Sequence, residues 1–269
     1  MSRREPVNPR DPTGTRRLEN REVRRVTNIV RAYRDALASV LENTEDAPTL
    51  MREGFRGRRP GDGEGVLDRY CRAMRDQLDE GIDGHIRATQ EASVRNADRA
   101  LKNLGVGIQL GGIVIPREET ELLRANLRDN YANIVDKMAA DVNRAVLEGY
   151  QKGLGAKETA KLAKTVTDGL EYDAERIVRT ETMRVGDITA KARYDQIGDL
   201  DGYYSFPTAD DRTCPYCLGL ALTGEYRETT RTGGELHLFP KDAPFSLPAH
   251  PNCRCTRLPH FEGEPPMQI

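Results

Sequence analysis

Four of the five cysteines cluster late in the chain, at Cys214, Cys217, Cys253 and Cys255. Cys214-Pro-Tyr-Cys217 is a CxxC knuckle, and His250-Pro-Asn-Cys253-Arg-Cys255 follows after 32 intervening residues. A CxxC turn supplies two thiolates from one tight loop, and a distant ligand pair can close a tetrahedral site around zinc. Five donors are present, one more than such a site needs. Cys214, Cys217 and His250 are the core of the expected set. Cys255 is favoured as the fourth ligand because it gives His250 a longer reach around the metal. Cys253 competes closely, and spacing does not separate the two. Disulfides or small core thiols are the competing readings. Pro248, Pro251 and Pro259 stiffen the second half-site. Cys71, His85, His237 and His260 show no partnering pattern and read as ordinary core or surface residues. Asp210 and Asp211 precede the knuckle and read as turn-forming residues.

A closed four-ligand site leaves zinc no open position for water, which disfavours hydrolytic chemistry. Arg179 and Glu181 could be taken as catalytic. They lie two residues apart on a predicted helix and so point to different faces. Anchoring the helix to the cysteine-bearing region suits them better. The expectation is therefore no enzyme and no catalytic residues. The alternatives are a metal-dependent nuclease or a zinc-ribbon-like nucleic-acid-binding module, although only Arg212, Arg227, Arg231, Arg254 and Arg257 are scattered near the knuckle.

The elements that must position these donors are mostly helical. The chain has 269 residues, 31% charged and 37% hydrophobic, with no Trp and five Phe, so modest cores are expected. The formal net charge of −2 excludes a polybasic nucleic-acid coat. No stretch approaches the ~18 apolar residues of a membrane span, and no apolar run follows the basic start, so a soluble protein made in the cytoplasm is expected. Residues 1–60 hold 14 Arg, no Lys and nine acids. That basic balance reads as a solvated face or as a phosphate-contacting arm.

Residues 1–15 read as a flexible arm. Val26, Ile29, Val30, Tyr33, Leu37, Val40 and Leu41 form one apolar helical stripe. Val66 to Leu104 continues the helical pattern, with a break or kink expected near Gly81 and Gly84. Gly105 to Ile115 is a connector or short hairpin. Pro116 opens a long helix whose stripe runs from Leu123 to Tyr150, and Gly153 and Gly155 stop it. Helices over about 156–168 and 172–197 follow. The remainder is rich in Pro, Gly, aromatics and Cys, where short strands and turns fit better than helices.

The order of motifs resembles the phage head-morphogenesis, or minor head protein, family of tailed viruses, the Mu F-like group. Arg179-Thr180-Glu181 on a helix, an aromatic strand at Tyr203-Tyr204, Asp210-Asp211-Arg212-Thr213-Cys214-Pro-Tyr-Cys217 and the terminal His250-Pro-Asn-Cys253-Arg-Cys255 carry the resemblance. Leu222-Thr223-Gly224 departs from the family's Leu-Asp-Gly-like turn in having Thr for the acid. The resemblance covers about residues 117–258, and residues 1–115 match no motif. It implies a minor capsid protein of the virion, inside the head near the portal, acting in head assembly and DNA delivery. The implied partners are the portal protein or inner capsid proteins. The basic composition of the Arg-rich N-terminal region adds packaged DNA as a candidate partner, and no membrane is expected.

The fold expected is α+β, mostly α: an elongated helical body and then a small β-rich zinc-stapled C-terminal subdomain. The boundaries expected are 1–15 arm, 16–115 N-terminal helical region, 116–198 helical part of the head-morphogenesis domain, 199–258 zinc-binding subdomain and 259–269 tail. The helical body is expected to expose apolar surface, led by the Val26–Leu41 stripe, to a partner.

Overall fold

The computed structural model describes residues 11, 13–43, 65–106, 115–208, 213–222, 236–243, 246–264 and 267. Residues 107–114 of the expected connector, Asp210, Asp211 and nearly all of the N-terminal arm lie outside them. Among the described residues six helices precede the sheet: α1 Arg16–Glu42, α2 Val66–Glu80, α3 Ile82–Asn103, α4 Arg117–Gln151, α5 Ala156–Val166 and α6 Leu170–Tyr194. Then come β1 Leu200–Phe206, the short helix α7 Pro215–Ala221, β2 Leu238–Pro240 and β3 Thr256–Phe261. The three strands form an antiparallel sheet in the order β2-β1-β3. The fold is α+β and mostly α, with the sheet confined to the C-terminal region. Among the described residues no helix is long and apolar enough to cross a membrane.

The chain divides into two compact units that the linear boundaries do not follow. One gathers Met1–Asn20, Gly84–Leu123 and Arg179–Ile269; the other gathers Arg21–Asp83 and Arg124–Val178. They are called here the sheet unit and the helical unit.

In the helical unit, apolar residues at helical spacing close a core of Val26, Val30, Leu37, Leu41, Met74, Leu78, Leu127, Ile134, Met138, Val142 and Val146. The Val26–Leu41 stripe therefore faces its own unit. Val26 and Val30 are fully buried, and Ile29 and Tyr33 are half-buried. This corrects the expectation that the stripe is a free docking face. Tyr150, placed on the buried stripe of α4 by its spacing, is exposed instead.

One buried polar network sits in this core. Glu22 accepts from the Tyr131 hydroxyl at 3.1 Å and from Arg25 at 2.7 and 3.0 Å. Arg25 also donates to the Gln77 and Leu78 carbonyls, the open C-terminal carbonyls of α2. Burial, followed by the Glu22 charge, raises the Tyr131 phenol well above its ordinary value. The break expected near Gly81 falls there, between α2 and α3. A Cβ at Gly81 would run into the Arg25 guanidinium, so the gap between the helices is shaped by that arginine. Gly84 lies undisturbed inside α3.

In the sheet unit, β1 packs on helices. Tyr203, Leu200 and Phe261 bury with Ala97 and Leu101 of α3 and Ala190 and Tyr194 of α6. Tyr204, Phe206 and Leu258 bury with Ala100, Ala221 and Leu236. Small residues on the helices let the aromatic strand approach closely, and so a chain without Trp still makes a dry sheet interface. The tail expected from 259 begins later. β3 runs to Phe261, and Met267 packs against the sheet while its carbonyl accepts from the Leu236 N–H.

Gly202 is the point where β1 and β2 approach most closely. A Cβ there would collide with the Phe239 carbonyl oxygen, a backbone atom that cannot turn aside. Gly202→Ala is expected to destabilise the protein by about 1–3 kcal/mol, the usual cost of overpacking. The loss should concentrate in β2, with faster amide exchange at Leu238 and Phe239 than at Arg257, Leu258 and His260. Wild-type exchange and stability would show that the β2 edge is free to move away.

Candidate metal centre

The first half-site is built on the start of α7. Cys214 is its N-cap, and its sulfur accepts from the Cys217 N–H at 3.4 Å, with Pro215 in the first helical position. Capping folds the knuckle into a helical turn, which places both sulfurs at one end of the helix. The expectation of strands and turns throughout this region misses this helix, because a seven-residue helix is too short to show periodicity.

The second half-site is the turn His250–Cys253, closed by the Cys253 N–H donating to the His250 carbonyl at 3.0 Å. Asn252 adopts φ 63°, the left-handed conformation that Asn tolerates. β3 begins immediately after Cys255, so the sheet holds that end. The Thr208 hydroxyl, just beyond β1, donates to the Arg254 carbonyl at 2.7 Å, tying the two chain segments together.

These segments bring all five predicted donors together. The Cys214 and Cys217 sulfurs lie 3.1 and 3.0 Å from His250 Nε2. The Cys217 and Cys253 sulfurs are 3.8 Å apart. Two donor groups result, Cys214–Cys217–His250 and Cys217–Cys253–Cys255, with Cys217 common to both. All five cysteines are free thiols, which sets aside the disulfide alternative for this structure. Cys217, Cys253 and Cys255 are buried with Leu247. A soft, buried donor set of this kind could hold a metal ion.

The thiols and the imidazole act on one another. Hydrogen bonds from Cys217 and Cys255 hold the Cys253 thiol far below its ordinary value, and the same bond to Cys253 pushes Cys217 up. Burial lowers the His250 imidazole, but its bond to the Pro251 carbonyl and the nearby Cys214 and Cys253 outweigh it, and the net shift is upward. Nδ1 of His250 lies 2.7 Å from that carbonyl. Donation from Nδ1 fixes the tautomer that leaves the Nε2 lone pair facing the sulfurs, as metal-bound histidines require.

Cys253 and Cys255, the two candidates for the fourth ligand, stand alike in the donor grouping, each with Cys217 and the other. Cys253 makes the 3.8 Å contact with Cys217 and its charge acts on His250, while Cys255 interacts with the charge of Cys214.

Several side chains of α6 tie it to its surroundings. Arg179 pairs with Glu19 at 3.3 Å. Glu181 is buried and bonded to Arg184, and burial raises its carboxyl against the lowering effect of that arginine. Thr180, between them, accepts from the Asn252 N–H at 3.2 Å. The stronger tie is Asp187, which takes two 2.9 Å bonds from Arg257 and one at 3.1 Å from the Leu247 N–H. Thr180, Met183, Asp187, Ala190 and Tyr194 follow the three-four spacing of one helix face. A polar pair on an otherwise apolar stripe is the signal that could have revealed them. His85 is a core histidine 2.8 Å from Thr182, and His260 is bonded to Tyr204 at 3.1 Å; neither joins the metal centre.

Compared with protein-family models, curated proteins and solved structures, the chain finds no significant match in any of the three.

Proposed function

We propose that this protein is a minor capsid protein of a tailed virus, a structural component of the virion that acts in head morphogenesis beside the portal, with a zinc ion stapling its C-terminal sheet unit. The reading is carried by one observation: the CxxC and HxxCxC halves, which bear the family-like motif order, meet in two three-donor groups that share Cys217. Zinc is the natural occupant. Tetrahedral zinc with bonds of ~2.3 Å to sulfur holds neighbouring sulfurs ~3.8 Å apart, the separation of Cys217 and Cys253. Cys214, Cys217, His250 and Cys253 form the proposed ligand set. A closed set of four protein ligands supports a structural rather than catalytic metal, so the protein is read as no enzyme. Portal or inner capsid proteins are the proposed partners, and assembly takes place in the host cytoplasm.

The test is co-sedimentation of the purified full chain with portal assemblies, combined with elemental analysis. Binding to portal rings and about one zinc per chain are the expected results. A zinc-bearing protein that ignores portals and is missing from purified heads would leave the metal centre and remove the virion reading.

A further inference from the structure

Arginine outnumbers lysine 33 to 8 in this chain, yet residues 145–175 contain no arginine and four lysines, Lys152, Lys157, Lys161 and Lys164. Helix propensity does not distinguish the two cations, and a general bias towards arginine predicts the opposite choice. Three of these lysines line α5. Lys157, Lys161 and Lys164 are all exposed, while Thr159, Ala160 and Ala163 bury the other side of the helix. Their i, i+4, i+7 spacing puts the ammonium groups in one row, with rises of ~6 and ~4.5 Å. Lys157 and Lys161 have no ion-pair partner among the described residues. Lys164 has only a 3.8 Å contact with half-exposed Asp35, the kind of surface pair that stabilises little. Lys152 is taken up by Glu148 at 2.5 Å and stands outside the row. Glu158 is exposed but points ~100° away around the helix.

We propose that the Lys157–Lys161–Lys164 face docks on the phosphate backbone of double-stranded DNA. The polyanion offers a charge every ~1.7 Å along its axis, so a row of three cations meets phosphates in any register. Lysine suits this contact because its ammonium is a hydrated point charge without the forked geometry that reads bases. α5 itself carries no aromatic residue to stack on bases, so the contact is made to phosphate. The encounter with packaged DNA rests on the virion reading; the affinity itself does not.

The test uses the full chain and a mixed-sequence 30-base-pair duplex, followed by fluorescence anisotropy between about 50 and 200 mM salt, the range over which phosphate contacts weaken steeply. The Lys157→Ala, Lys161→Ala, Lys164→Ala triple variant should keep its helix, because alanine is the best helix former. Its salt slope should fall by about 2 to 3, and its affinity at low salt at least tenfold. The matching Lys→Arg triple variant should keep the wild-type slope. Wild-type slope in the alanine variant, or no duplex binding by the wild type at 50 mM salt, overturns the proposal. Loss of portal binding with the duplex slope unchanged also overturns it and assigns the row to an acidic protein surface. A chain that binds no portal but shows the expected slopes retains this proposal and loses only the virion reading.

Discussion

Cys217→Ser and His250→Ala are each expected to abolish stoichiometric metal binding. Cys217 is the donor shared by both groups, and His250 alone presents an imidazole to the sulfurs. Structural zinc sites contribute on the order of 10 kcal/mol of apparent binding free energy that becomes folding free energy. The loss here should be smaller, because the sheet also buries Tyr203, Leu200 and Phe261 on helices that do not depend on the metal. The expected result is a lower Tm for the sheet unit, with fast amide exchange at residues 213–222 and 247–255 and retained protection in β1. The paired changes Cys253→Ser and Cys255→Ser separate the ligand candidates: the first should lose the metal and the second should keep it. Cobalt substitution reads the same difference in the ligand-field spectrum, since replacing a thiolate ligand changes the donor set. Metal retained by Cys253→Ser and lost by Cys255→Ser would reverse the assignment.

Asp187→Ala is expected to cost about 3–5 kcal/mol, the usual penalty for removing one partner of a buried ion pair. The Asp187 and Arg257 side chains are 5% and 3% exposed, so water cannot replace the carboxylate. The Arg257 guanidinium also lies over the Tyr203 ring, 4.7 Å from its centroid, so loss of the carboxylate would be felt in the sheet core. A second effect should accompany the first. Asp187 holds the Leu247 N–H, and Leu247 packs on Cys217, Cys253 and Cys255. Metal affinity should therefore fall in the same variant although no ligand has been touched. The combined change Asp187→Leu, Arg257→Met should recover much of the stability, since apolar residues can replace a buried pair at little cost, while the looser Leu247 turn keeps metal affinity below wild type. Urea unfolding and a chelator competition measure the two effects separately. Equal stability of Asp187→Ala and wild type would mean that Arg257 finds another acceptor.

Local physics made a large part of this molecule legible. Hydrophobic period located the helices, because a 3.6-residue repeat is written into consecutive side chains: Val26 to Leu41 and Leu123 to Val146 are buried as their spacing implies. The metal donors were legible for the same reason. CxxC and HxxCxC are short-range constraints, and all five donors converge. Where the reading failed, the deciding contacts lie far apart in the chain. The two compact units are assembled from segments distant in the chain, with 84–123 grouped with 179–269. Periodicity says that a face is apolar but not what covers it, so the Val26 stripe was open to a partner until its own unit enclosed it. Asp187 and Arg257 are 70 positions apart, as Glu22 and Tyr131 are 109, and no local pattern couples them. The choice between Cys253 and Cys255 belongs to the same class. Sequence spacing limits how far each thiol can reach, while the turn at Asn252, held by Thr180 of a helix 72 residues earlier, fixes how that half-site meets the knuckle.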